Sequence, residues 1–282
     1  MYKIVRKRVL NPTVTQMEIE APLVAKKARP GQFIILRVDE EGERIPLTVA
    51  GCNAAEGTVK IIFQIVGATT EKLNHKEAGD CIQDFVGPLG VATKVEGLKK
   101  VCIVGGGVGC AIAMPIAEEL HKMGAEVTSI IGFRSKDIVI LEDEFKACSD
   151  RLVLMTDDGT YGRQGNVTVP LKEMLEAGET FDEIITIGPL IMMKFVVAAA
   201  KPFGVPVTVS MNPIMIDGTG MCGGCRLTLH RDGKKLVQFA CVDGPDFNGY
   251  EVDFDEAMSR GRMYAGFERH AYEETCNLFK KA

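Results

Sequence analysis

The sequence predicts a β plus α/β architecture: an N-terminal antiparallel β-barrel, a parallel-sheet α/β domain, and a small cysteine-bearing C-terminal module. Three observations carry this expectation. Short apolar runs punctuated by turn residues fill the first hundred positions, alternating strand-like and helix-like segments begin at Val101, and three of nine cysteines crowd into a glycine-rich stretch after Asn212. With 282 residues, 46% hydrophobic and 25% charged, the chain is long enough for about two compact units with their own cores.

The barrel is read from the runs Val14–Ile19, Gln32–Val38 and Val59–Ile65, separated by turn signals at Pro30-Gly31, Glu41-Gly42 and Glu56-Gly57. Lys3, Arg6, Lys7 and Arg8 read as a solvated strand edge, and the net charge of −5 with no basic patch gives no reason to expect a nucleic-acid partner. The first residues, MYKIVRKRVLNPTV, lack the apolar core of a signal peptide. The most apolar stretch, Ile184 to Ala200, is interrupted by Gly188-Pro189 and Lys194, so no membrane span is expected. A cytoplasmic location follows, in which the cysteines stay reduced rather than forming a disulfide framework.

After the polar junction Lys94–Lys100 comes Val101–Val104, a continuous apolar run of the kind a parallel strand buried on both faces requires. A helix is expected from about Cys110 to Met123, then strands at Val127–Phe133, Leu152–Met155, Ile184–Ile187 and Val205–Val209. Further helices fall around Val169–Glu176 and Leu190–Lys201. The expected divisions are 1–97 for the barrel, 98–211 for the α/β domain, 212–250 for the cysteine module and 251–282 for a helical tail.

Between the first α/β strand and its helix stands Gly105-Gly106-Gly107-Val108-Gly109, which with Cys110 fills a G-x-G-x-x-G/A pattern, cysteine taking the third position. Missing side chains let the backbone approach a pyrophosphate, and the helix N-terminus supplies free N–H groups, so this loop is the candidate dinucleotide site. The acid that usually holds a ribose after the second strand is absent. Arg134 and Ser135 stand there instead, which leaves NAD against NADP open. Asp157 and Asp158, past the Leu152–Met155 strand, read equally as ligands at the sheet edge or as an acidic turn.

In the tail, Asp217-x4-Cys222-x2-Cys225-x15-Cys241 repeats the C-x4-C-x2-C spacing of plant-type [2Fe–2S] loops, with aspartate in the first position. A structural zinc site built on three thiolates fits the same residues, as do three unligated cysteines.

RIPLTVAG, VGATTEKL, GPLG, VGGGVGCAIAMPIA, GPLIMMK and MNPIMIDGTGMCGGC together give residues 1–250 a resemblance to the ferredoxin reductase-like electron-transfer flavoproteins. Within them the chain is similar to the small subunit of NADH-dependent reduced ferredoxin:NADP oxidoreductase, and to the electron-transfer subunits of dihydroorotate dehydrogenase and sulfide dehydrogenase. The resemblance implies an FAD-binding barrel, an NAD(H)-binding α/β domain with NADP(H) not excluded, and a small C-terminal [2Fe–2S] module. It places Pro46, Leu47 and Thr48 along the flavin. Arg44 stands one residue before the family's arginine position and serves the pyrophosphate if the strand bulges. Leu47 replaces a stacking tyrosine.

Gly67, Thr69 and Thr70 match a segment that meets the FAD phosphates. Gly87-Pro88-Leu89-Gly90 matches a barrel-closing turn, and Gly188-Pro189 approaches the nicotinamide, with Met192 and Met193 as helix core. Asp217, Cys222, Cys225 and Cys241 become the cluster ligands, with no side chain required as a catalytic acid or base. The implied partner is a larger flavin and iron–sulfur subunit resembling the glutamate synthase small subunit, through which ferredoxin reacts. The electron-transfer subunit of a dihydroorotate or sulfide dehydrogenase, a self-sufficient NAD(P)H:acceptor reductase and a zinc-stabilised nucleotide-binding regulatory module are the alternatives.

Overall fold

Period-two alternation builds the barrel: β1 (Tyr2–Asn11), β2 (Val14–Glu20), β3 (Phe33–Arg37), β4 (Arg44–Asn53), β5 (Thr58–Gln64), β6 (Cys81–Ile82) and β7 (Asp84–Leu89). The computed structural model describes residues 1–281, with side chains described through Cys276. The strands lie in the order β6-β1-β2-β5-β4-β3-β7, and only Gln83 separates the two edge strands in the chain, so the antiparallel sheet is nearly closed. Ile4, Met17, Ile34, Ile61 and Phe63 fill its interior together with Leu73 of the short helix α2 (Ala68–Asn74). A further short helix, α1 (Pro22–Ala25), follows β2.

Two expectations change here. The basic run near the N-terminus is an edge only in part, because β6 pairs with β1 at Tyr2 and Lys3, while Arg6, Lys7 and Arg8 pair with β2 alone and Arg6 and Arg8 stay exposed. Lys7 leaves solvent to donate to the Asn74 carbonyl at 2.6 Å and to Glu77. The Gly87-Pro88-Leu89 segment is not a turn: it continues β7, and the barrel closes when β7 pairs with β3, with Gly90 ending the strand at φ +74°.

The second unit alternates as expected: β8 (Lys100–Gly106), α3 (Gly109–Lys122), β9 (Glu126–Phe133), α4 (Glu142–Ala147), β10 (Arg151–Thr156), β11 (Arg163–Gln164), α5 (Thr168–Glu176), β12 (Glu183–Ile187), α6 (Leu190–Ala200) and β13 (Val207–Ser210). The sheet order is β11-β10-β9-β8-β12-β13, closed at its far edge by β16 (Asp246–Asn248), and the strands from β8 to β13 are parallel. Ile103, Val127 and Ile131 pack beneath α3 on one face, while Cys102, Val104 and Ile130 pack with Leu171 and Met193 on the other. Helices on both faces explain the unbroken apolar runs. Val14, Ala50 and Ile62 of the barrel wall join the α3 side of this core and fix the two units together.

The C-terminal segment forms the hairpin β14 (Arg226–Arg231) and β15 (Lys234–Phe239). It then returns β16 (Asp246–Asn248) antiparallel to β13, and ends in α7 (Phe254–Arg260) and α8 (Ala265–Lys281). Among the described residues no helix is long and apolar enough to cross a membrane.

Candidate functional site

The β4 strand carries the first group of site residues. Its register against β3 runs unbroken from Arg44, opposite Arg37, to Thr48, opposite Phe33. Alternation puts Arg44, Pro46 and Thr48 on one face and Ile45 and Leu47 on the other, where both pack on the barrel core. Arg44 therefore shares the face of Thr48 without a bulge, and Leu47 is turned toward the interior. At Gly67, which caps α2, the Thr70 hydroxyl accepts from the amides of Val66 and Gly67, both at 3.0 Å, and donates to the Gly67 carbonyl. Thr70 thus shapes the cap, while Thr69 reaches toward Glu43 beside Arg44.

The second group forms where β8 becomes α3. Gly107 bonds through its N–H to the Gly132 carbonyl at 2.9 Å and adopts φ +55°, with open space where a side chain would stand. The other glycines answer to close approach. A Cβ on Gly106 would sit 2.3 Å from Met192 Sδ, and one on Gly109 would sit 2.4 Å from the Ile187 carbonyl oxygen. Gly188 in turn lies with its Cβ direction 3.2 Å from the Gly106 backbone. The structure thus brings Gly188-Pro189 against the glycine loop from some eighty positions away in the chain. Met193 is fully buried as expected, but Met192 is only half-buried and touches the loop. Val108 at the helix N-cap offers no side-chain acceptor to the first turn of α3.

At the sheet edge, Ser135 donates to Asp137 at 2.5 Å, and Asp158 takes up the Thr160 amide and hydroxyl, which holds its carboxyl below the usual range. Asp158 thus shapes the turn at this edge. The amide of Asp157 bonds the Phe133 carbonyl and that of Asp158 the Arg134 carbonyl, joining the two loops, and Arg134 is exposed.

The third group is the cysteine loop. Residues Arg226 and Phe239 pair at the open end of the β14–β15 hairpin, so Cys225 and Cys241 meet although 15 residues separate them. The hairpin turns at Asp232-Gly233, both at positive φ, a dipeptide that is itself a hairpin-turn signal in the sequence. The Cys241 amide donates to Cys225 Sγ at 3.4 Å, and the Gly224 amide to Cys222 Sγ at 3.5 Å. Burial, then the Cys225 thiol, pushes the Cys241 thiol up to about 12. Asp217 accepts from the Thr219 and Cys222 amides at 2.8 and 2.7 Å, which holds its carboxyl low. Among the described residues no three such donors converge on one point: Asp217 stands with Cys222, and Cys225 with Cys241.

Three thiols, amides aimed at two of the sulfurs, and a carboxylate close by match the donor chemistry of an iron–sulfur cluster. The loop also touches the barrel, because Gly218 packs on Ile35 and Leu89, next to the β4 face of Pro46 and Thr48.

A barrel abutting a parallel-sheet domain, with a glycine loop at the first crossover and a thiol loop against the barrel, defines a ferredoxin reductase-like fold with an added iron–sulfur module. Residues 212–253 match the iron-sulfur cluster binding domain of dihydroorotate dehydrogenase B. A Thermotoga maritima protein named as a homolog of the dihydroorotate dehydrogenase B (NAD(+)) electron transfer subunit is 46% identical over 271 residues, covering 96% of this chain and 94% of its own. The Desulforamulus reducens electron transfer subunit of that name is 30% identical over 255 residues, 89% of this chain and 96% of that one. A solved structure of an NADH-dependent reduced ferredoxin-NADP oxidoreductase, studied for flavin-based electron bifurcation, superposes with TM-score 0.89 at 44% identity over 97% of both chains. The chain belongs to the family of electron-transfer subunits of flavin and iron–sulfur oxidoreductases.

Proposed function

We propose that this chain exchanges a hydride between NAD(H) and an FAD on the barrel and relays the electrons one at a time through a [2Fe–2S] cluster. A larger partner subunit receives them, as in NADH-dependent reduced ferredoxin:NADP oxidoreductase. The observation that carries this reading is the seat of the thiol loop on the barrel, Gly218 against Ile35 and Leu89, beside the strand face of Arg44, Pro46 and Thr48. When bound, the flavin supplies two-electron to one-electron conversion, which neither the nicotinamide nor the cluster supplies alone.

The chain's own residues bind and orient. Arg44 offers a guanidinium to the pyrophosphate from the same strand face as the Thr48 hydroxyl. Gly67, Thr69 and the α2 cap meet the flavin phosphates. The Gly105–Gly109 loop and the uncapped start of α3 hold the dinucleotide pyrophosphate, and Gly188-Pro189 against Gly106 positions the nicotinamide end. Arg134, Ser135, Asp157 and Asp158 border the adenosine end, and the carboxylates there favour NADH by repelling a 2′-phosphate. Asp217, Cys222, Cys225 and Cys241 hold the iron. No proton need be held by a side chain.

A second reading, the electron-transfer subunit of a dihydroorotate dehydrogenase, is favoured by the match at residues 212–253. Anaerobic purification, flavin and iron analysis, and separate reduction by NADH and NADPH test the first. Flavin and iron in about one-to-two proportion are expected, with the flavin absorbance bleached by NADH. If neither nucleotide bleaches it, the proposal fails. Orotate reduction in the presence of the partner would select the second.

A further inference from the structure

The chain continues past the matched iron–sulfur domain, which ends at residue 253, into α7 and α8. α7 packs on α6 and β14, so the tail leaves from the cluster side of the molecule. Residues 261–270 are then exposed without exception, Met263, Tyr264 and Phe267 included. Burial resumes only at Ala271, and Thr275 is 7% exposed, where α8 lands on α2. A helix of 17 residues is about 25 Å long, enough to bridge between units rather than lie on one.

The landing point is a helix of seven residues, too short to hold itself. Its ties to the barrel include Leu73 in the core, Lys7 on the Asn74 carbonyl, Thr15 on the Asn74 side chain at 2.7 Å, and Thr69 on Glu43. α8 packs on this same helix, which begins at the Gly67 cap. In the buried stretch of α8 the Thr275 hydroxyl donates to the Ala271 carbonyl at 2.9 Å.

We infer that α8 is a strap that runs from the cluster module to α2 and retains the flavin by holding the Gly67–Thr70 cap in its binding conformation. The inference rests on the flavin reading of that cap. Undocking α8 removes packing from a helix too short to hold itself and so loosens the cap at its start. The thiol loop is tied elsewhere, through the hairpin and Gly218, and keeps its iron.

The test uses the whole chain, a chain ending at Arg262, and Thr275→Asp, which drives a charge into the α2–α8 contact. FAD dissociation constants, iron content and amide exchange across 67–74 are measured for each. Expected is a loss of FAD affinity of about tenfold or more, faster exchange in 67–74, and unchanged iron. FAD affinity within about twofold of the whole chain overturns the strap, as does iron lost in parallel, which would make the tail a general support. If the shortened chain does not fold, Thr275→Asp alone decides. A whole chain that binds no FAD defeats the flavin reading instead, so the two failures are distinct.

Discussion

Gly218 stands so close to Ile35 that a Cβ would lie 2.9 Å from the isoleucine Cδ1 and 2.7 Å from that of Leu89, at a backbone φ of +76°. Ile35 is the strand partner of Pro46, so the thiol loop sits one strand from the proposed flavin face. Both the left-handed backbone and the absence of a side chain are needed for that approach. Gly218→Val should separate the loop from the barrel and cost about 1–3 kcal/mol. In rapid-mixing experiments NADH should still bleach the flavin at its normal rate, while cluster reduction, read by its paramagnetic signal, slows. Cluster reduction that keeps pace would place the electron route elsewhere.

Gly107 and Gly109 make opposite demands. Gly107→Ala meets only the left-handed penalty of about 1–2 kcal/mol, because nothing lies within 4 Å. Gly109→Ala forces a methyl to 2.4 Å from the Ile187 carbonyl oxygen and 2.8 Å from Gly188 Cα, both backbone. The second variant should therefore show the larger fall in melting temperature and lose NADH-dependent flavin reduction. The first should fold and raise the KM for NADH modestly. Steady-state kinetics beside thermal melts separate the two.

The ease with which these parts could be read differs for physical reasons. The glycine loop was legible because a buried strand, a turn and an amphipathic helix each leave a periodic mark around it. The β14–β15 hairpin was not, since β15 is exposed along Lys234–Val237 and shows no alternation, although Asp232-Gly233 announced its turn. Met192 read as core because α6 is apolar nearly all round, which hides the one residue that faces Gly106. The face assignment of Arg44 needed the β3–β4 register, which spacing alone does not supply. The docking of α8 on α2 depends on small and polar residues such as Thr275, which carry no hydrophobic signature.

Asp246 joins the units in a manner that titrates. Thr93, in the segment leaving the barrel, donates to Asp246 Oδ2 at 2.5 Å, while Oδ1 is closed off from solvent with no hydrogen-bond partner. Burial raises the carboxyl to about 6, against lowering by the Thr93 and Ser210 hydroxyls and with a further push from Glu183. The folded chain thus holds this proton more tightly than the unfolded one. The contribution to stability is full below the ordinary carboxylate range and is lost as pH rises through about 6. Asp246→Asn should remove that slope and gain on the order of 1–2 kcal/mol relative to wild type at pH 8. Thermal melts between pH 5 and 8 check it, and parallel profiles for the two proteins would refute it.

Asp217 offers the sharpest test of the thiol loop. Its two oxygens accept the Thr219 and Cys222 amides, so the residue already organises the loop that presents Cys222. Two roles follow, loop former and iron ligand, and substitutions divide them. Asn keeps an oxygen for one amide but brings no charge, whereas Cys brings a thiolate and no oxygen. If Asp217 is a ligand, Asp217→Cys should retain iron with a shifted potential, because a softer donor replaces a harder one. Asp217→Ala should lose most of its iron. If it is a loop former only, Asp217→Asn should hold iron better than Asp217→Cys. Iron content and redox titration of the three anaerobically purified variants rank them, and an Asn variant that matches wild type in both would remove Asp217 from the ligand set.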